Sequence, residues 1–116
     1  MYIDGFVLPL PSDKREAYRE IAASAATVFK DHGALSVVEA WSDDVPRGKQ
    51  TDFYMAVQCA ENELPVFSWI AWPDKATRDT GMAKAMADPR MQMDPSTMPF
   101  DTKRMIFGGF EPIVEA

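Results

Sequence analysis

The chain has 116 residues, 47% of them apolar and 26% charged, with a formal net charge of −6 and a single cysteine. That length fits one domain, residues 1–116, able to bury roughly two thirds of its unfolded surface, and no apolar run approaches the ~20 residues of a membrane span. The acidic balance argues against nucleic acid or an anionic membrane surface as a partner, and Cys59 alone forms neither an internal disulfide nor a cysteine metal cluster.

Residues 2–10, YIDGFVLPL, are rich in aromatic and branched side chains and predict a strand whose extent Pro9 and Pro11 limit. This N-terminal stretch lacks the positive region of an export signal, which sets a cytoplasmic expectation. Ser12 is placed to cap a helix over about 13–31, where Ala17, Tyr18, Ile21, Ala22, Ala25, Val28 and Phe29 recur at three- and four-residue spacing. Gly33 ends it. ALSVVEAW, 34–41, predicts a second strand, SDDVPRGKQ a loop, and TDFYMAVQC, 51–59, a third strand with Phe53, Met55, Val57 and Cys59 on one face. VFSWIAW, 66–72, predicts a further strand with large apolar groups on both faces.

PDKATRDTGMAKAMADP predicts a second helix that begins near Asp74, with Gly81 as its weak point. Residues 88–102 hold three prolines and three methionines and predict a surface run of short turns. RMIFGGFEPIV, 104–114, predicts a last strand in which Pro112 suits an edge or a bulge. Two helices and a largely antiparallel sheet in this order predict an α+β, two-layer domain of ferredoxin-like type with its first and last strands side by side. Both parities of the last strand are apolar: Ile106, Phe110 and Val114 on one, Met105, Phe107 and Ile113 on the other. Helices cover one face, and a second subunit over the other predicts a homodimer.

YIDGFVLPLP, FSWIAWPDKATRD, MADPRM and MPFDTKRMIFGGFEPIVEA, in that order, resemble the DUF1428 (YbaA-like) family of bacterial proteins over essentially the whole chain. The resemblance implies membership of the dimeric α/β-barrel superfamily, in which two ferredoxin-like subunits set their sheets face to face. It implies no established activity and no catalytic residue set.

Candidate chemistry therefore rests on the residues. Asp4 and Glu39 each interrupt an apolar strand, and a carboxylate beside an apolar cavity has a raised pKa and suits a general base. Arg78 and Arg104 are placed to offset such a charge or to orient an anionic substrate; the plainer role for all four is a salt bridge at a rim or dimer interface. Trp41, Trp69 and Trp72 are candidates for lining a planar-ligand pocket, or for ordinary core packing. His32, before Gly33, reads as a helix-end contact, and the acidic pairs Asp43-Asp44, Glu61 with Glu63, and Asp88 with Asp94 as solvated turns. No cofactor and no metal site is expected. The favoured function is a homodimer with a small-molecule pocket; the alternatives are a cofactor-independent oxygenase or isomerase-like enzyme, and a purely structural or protein-interaction dimer.

Overall fold

In a computed structural model, residues 1–92 and 94–116 of the protein are described. Met93, one of the three methionines of the 88–102 segment, lies outside the described residues. The elements run β1 (Tyr2–Pro11), α1 (Arg15–Asp31), β2 (Ser36–Ala40), α2 (Phe53–Ala56), β3 (Glu63–Trp72), α3 (Lys75–Ala87) and β4 (Ile106–Phe110). Short 3-10 turns at Pro89–Met91, Pro95–Thr97 and Thr102–Arg104 carry the chain from α3 to β4.

The four strands form one antiparallel sheet in the order β2-β3-β1-β4. Among the described residues β2 pairs only with β3 and β4 only with β1, so both outer strands remain edges. The expected α/β barrel is thus corrected to a mixed α/β domain with an open sheet and three helices. The physical reason lies in the closure condition: a barrel needs every strand paired on both sides, and four strands leave too narrow an interior for side chains.

Residues alternate across the sheet, and the pairings settle which parity meets the helices. Leu8, Tyr18, Ala22 and Val66 form one buried cluster, and Phe29, Ile70, Trp72 and Ala85 form another. The helix-covered face of β1 therefore carries Tyr2, Asp4, Phe6 and Leu8, while Ile3, Gly5 and Val7 point the other way. Gly81 of α3 has a packing role: a Cβ there would fall against the His32 carbonyl oxygen and 2.5 Å from Trp72 Cζ3. Its absence lets α3 approach β3 closely, which outweighs the helix-weakening effect of glycine.

Three expected elements differ. The predicted strand over 51–59 is a loop holding the single turn α2, because Asp52 accepts the Met55 amide at 2.7 Å and caps a helix start, and Gln58 has φ of 52°. Ser12 does not cap α1; its amide donates to the Asn62 carbonyl at 3.0 Å, and a turn from Pro11 to Lys14 delays the helix to Arg15. β4 stops at Phe110, so Pro112 follows the sheet instead of interrupting it, and Ile113 and Val114 project outward.

Candidate functional site

Asp4 lies on the helix side of β1 and is 3% exposed. Its carboxylate accepts the Trp72 indole N–H at 2.9 Å and is clasped by Arg78 of α3, with Nη2 at 2.8 Å and Nε at 3.1 Å. The Arg78 guanidinium also sits 5.1 Å over the Tyr2 ring, and its bond to Asp4 holds its pKa above the usual arginine range. Gly109 of β4, opposite Asp4, leaves room for the Tyr2 ring, which a Cβ there would strike. This carboxylate has its partners filled by protein groups.

Glu39 has different surroundings. It pairs with Ser68 across the β2–β3 ladder, and its Oε1 accepts the Tyr18 hydroxyl at 2.5 Å. Tyr18 and Ser68 are buried, and all three groups open onto a hollow of about 390 Å³ between the sheet and α1. Apart from Thr102 its other walls are apolar: Leu8 and Ile70 from the sheet, Ile21 and Phe29 from α1, and Phe100 and Met105 from the segment after α3. Phe100 meets the Tyr18 ring edge-on at 5.6 Å, so that segment forms one side of the hollow.

By accessible area Glu39 counts as exposed, since it stands at the mouth of the hollow on an edge strand. The crowding around its carboxylate is nevertheless dense. Desolvation raises its pKa, partly offset by hydrogen bonds from Tyr18 and Ser68. Burial also pushes the Tyr18 hydroxyl well above its ordinary value, with the Glu39 charge adding to the effect, so Tyr18 is the donor and Glu39 the acceptor.

The remaining candidates scatter. Arg104 makes a two-pronged pair with Glu63 at 2.7 and 2.9 Å and also bonds Asp101 and the Gln58 carbonyl, which ties the segment before β4 to β3 and the loop after α2. It meets neither Asp4 nor Glu39. Trp72 is fully buried beneath Asp4. Trp41 lies beneath the Arg15 guanidinium, 5.7 Å from it, in a cleft that also touches Glu39. Trp69 stands on the opposite face of the sheet, 5.8 Å from Phe67. His32 ends α1 and meets Asp88 at 3.0 Å.

That opposite face carries a second, wider hollow of about 680 Å³, lined by Ile3, Val7, Phe67, Trp69, Ile106 and Phe110. Phe53 of α2 stands edge-on to Phe67, with ring centroids 6.2 Å apart. Its large side chains are apolar and exposed, with Phe67 44%, Ile106 46% and Phe110 62% exposed, and Glu111 stands among the lining. Among the described residues no cluster of three metal-ligating side chains occurs, and no helix is long and apolar enough to cross a membrane.

Sequence reasoning picked out Glu39 but missed Tyr18 and Ser68. Tyr18 was absorbed into the apolar stripe of α1, and Ser68 is the one small polar residue within FSWIAW. A hydroxyl at an otherwise apolar, inward-facing position is the signal that points to each of them.

The family model described as "Protein of unknown function (DUF1428)" matches residues 1–102. The chain is 58% identical over 114 residues to "Uncharacterized protein YbaA" of Escherichia coli strain K12, covering 98% of this chain and 97% of that one. The same identity and coverage hold for "Uncharacterized protein YbaA" of Shigella flexneri. A crystal structure of an uncharacterized NIPSNAP domain protein from Burkholderia xenovorans is similar in fold, with a TM-score of 0.61, 15% identity, and coverage of 100% of this chain and 98% of that one. The chain belongs to the DUF1428 family.

Proposed function

We propose that the protein is a small-molecule-binding homodimer of single-domain subunits, with its ligand site in the hollow between the sheet and α1. The observation that carries this is the Tyr18–Glu39–Ser68 group, three polar side chains converging in a hollow whose other walls, Thr102 apart, are apolar. Hollows of this size with few, converging polar groups are the usual form of ligand sites. The dimer follows from the open face, where Phe67, Ile106 and Phe110 would meet the same residues of a second copy about a twofold axis. The lone cysteine suits a cytoplasmic setting.

Native mass spectrometry of gently purified protein tests both parts. The expected species is a dimer carrying a retained small molecule, and Ala25→Phe, which fills the hollow from α1, should strip that mass while circular dichroism stays unchanged. A retained mass that survives Ala25→Phe would put the ligand elsewhere, and a monomer at micromolar concentration would overturn the dimer.

The raised pKa of Glu39 favours a second role, an isomerase-like proton transfer. Glu39 would take a proton from the carbon between the carbonyl and the double bond of a β,γ-unsaturated ketone, the electron pair moving onto the carbonyl oxygen near the Ser68 hydroxyl to give a dienolate. It would return the proton to the γ-carbon as the carbonyl re-forms and the double bond moves into conjugation. Deuterium from solvent appearing in an enolisable ketone, and lost in Glu39→Gln, would establish it. Unlabelled ketone after incubation with the native dimer would count against it.

A further inference from the structure

We infer that the hollow beneath α1 selects uncharged, mainly apolar molecules bearing one hydrogen-bond donor, such as a phenol or an alcohol, and rejects carboxylates of the same shape. The inference rests on the pocket assignment above and goes further by naming the ligand chemistry. Among the described residues the lining carries no lysine, arginine or histidine, and its one carboxylate is Glu39.

A carboxylate offers about four acceptor sites. Tyr18 occupies one at 2.5 Å, and Ser68 stands opposite Glu39 across the strand pair. A ligand O–H reaching the mouth of the hollow meets an acceptor with capacity left. A ligand carboxylate meets a like charge in a partly desolvated site, where such repulsion is strengthened.

The nearest arginines do not reverse this selection. Arg15 and Arg19 border the outer cleft on the far side of Glu39 and do not line the hollow. Arg19 is bonded to Glu16 at 2.8 Å, and Arg15 lies over the Trp41 ring. The net charge of −6 adds a weaker, general disfavour toward anions. The methionines among the walls, Met86, Met91, Met98 and Met105, are unbranched and adapt to the outline of an apolar body, so the polar end carries the selection.

The test uses the full-length protein at neutral pH with two probes of one shape, para-butylphenol and para-butylbenzoate, titrated calorimetrically. The phenol is expected to bind at least about tenfold more tightly, a difference that one acceptor–donor match and one like-charge clash readily supply. In Glu39→Gln, an isosteric change checked by circular dichroism, the preference should collapse as the benzoate gains affinity. Equal binding of the two probes to the native protein, or a preference that persists in Glu39→Gln, would overturn the charge selection while leaving the pocket intact. Benzoate binding that depends on Arg15, shown by its loss in Arg15→Ala, would likewise overturn it by placing the head group in the outer cleft. Failure of both probes to bind would overturn the pocket assignment, and the selection with it.

Discussion

Asp4 and Glu39 look alike in the sequence, each a carboxylate set into an apolar strand on the helix side of one sheet. Asp4 is enclosed by Trp72 and Arg78, which fill its acceptor sites with indole and guanidinium donors. Glu39 bonds the Tyr18 hydroxyl and otherwise faces the mouth of a hollow. A buried charge with complete protein partners belongs to the framework, whereas a carboxylate with acceptor capacity left at the mouth of an apolar hollow is available to a ligand.

The strongest way to test the framework half of that contrast is Asp4→Ala. Removing the carboxylate leaves Arg78 without its main partner and Trp72 Nε1 without an acceptor, and should lower unfolding free energy by about 3 kcal/mol. Urea denaturation reads this; a loss under about 1 kcal/mol would mean the cluster contributes no more than a surface pair.

Next in size is the open face. Phe110→Asp puts a carboxylate where the second copy is expected, and a desolvation penalty of about 3 kcal/mol corresponds to dimer dissociation roughly 100-fold more favourable. Phe107, on the helix-side parity and stacked on Phe6 at 6.2 Å, is 71% exposed at the sheet edge. Phe107 also borders the open-face hollow, so Phe107→Asp should weaken the dimer less than Phe110→Asp in sedimentation, and equal weakening by both substitutions would break the assignment of faces.

Gly81→Ala should destabilise the subunit by about 2 kcal/mol, since its Cβ overpacks against Trp72 and the His32 carbonyl. A thermal midpoint raised above that of the native protein would show that helix propensity outweighs the close contact.

The smallest effect sharpens the Glu39 half. Because desolvation raises its pKa, the folded state holds the Glu39 proton more tightly than the unfolded chain does. That contribution is fully present below the ordinary glutamate value of 4.5 and is lost as pH rises through the raised folded value. The groups facing it are Tyr18 of α1 and Ser68 of β3, with Arg15 and Arg19 bordering the outer cleft. Stability of Glu39→Gln minus that of the native protein should therefore climb with pH across that window and be flat on either side. A difference that falls with pH would mean Glu39 is held as a favourable ion.

α1 was legible because its apolar stripe has one period over four turns and a glycine at its end, both local properties. The run 51–59 was not, since its alternation is overridden by one capping bond from Asp52 and by the fold of the loop around it. Closure of the sheet was expected from resemblance to a superfamily, and strand pairing alone decides it. The carboxylates of the site were visible as breaks in apolar runs. Their partners were not: Tyr18 lies 21 residues from Glu39 and Arg78 lies 74 from Asp4, and no pattern in one chain encodes which distant polar group meets which. The Phe100 wall of the hollow falls in a segment whose composition announced only turns.

On the proposed reading the two hollows take different occupants, a small molecule under α1 and a second copy on the open face. Methyl NMR of the full-length protein during titration with para-butylphenol addresses it directly, because isoleucine methyls line both. Shifts are expected at Ile21 and Ile70, which border the inner hollow, with Ile3, Val7 and Ile106 unmoved. Shifts confined to Ile3, Val7 and Ile106 would contradict it, showing the open face to be a ligand surface instead of a subunit interface.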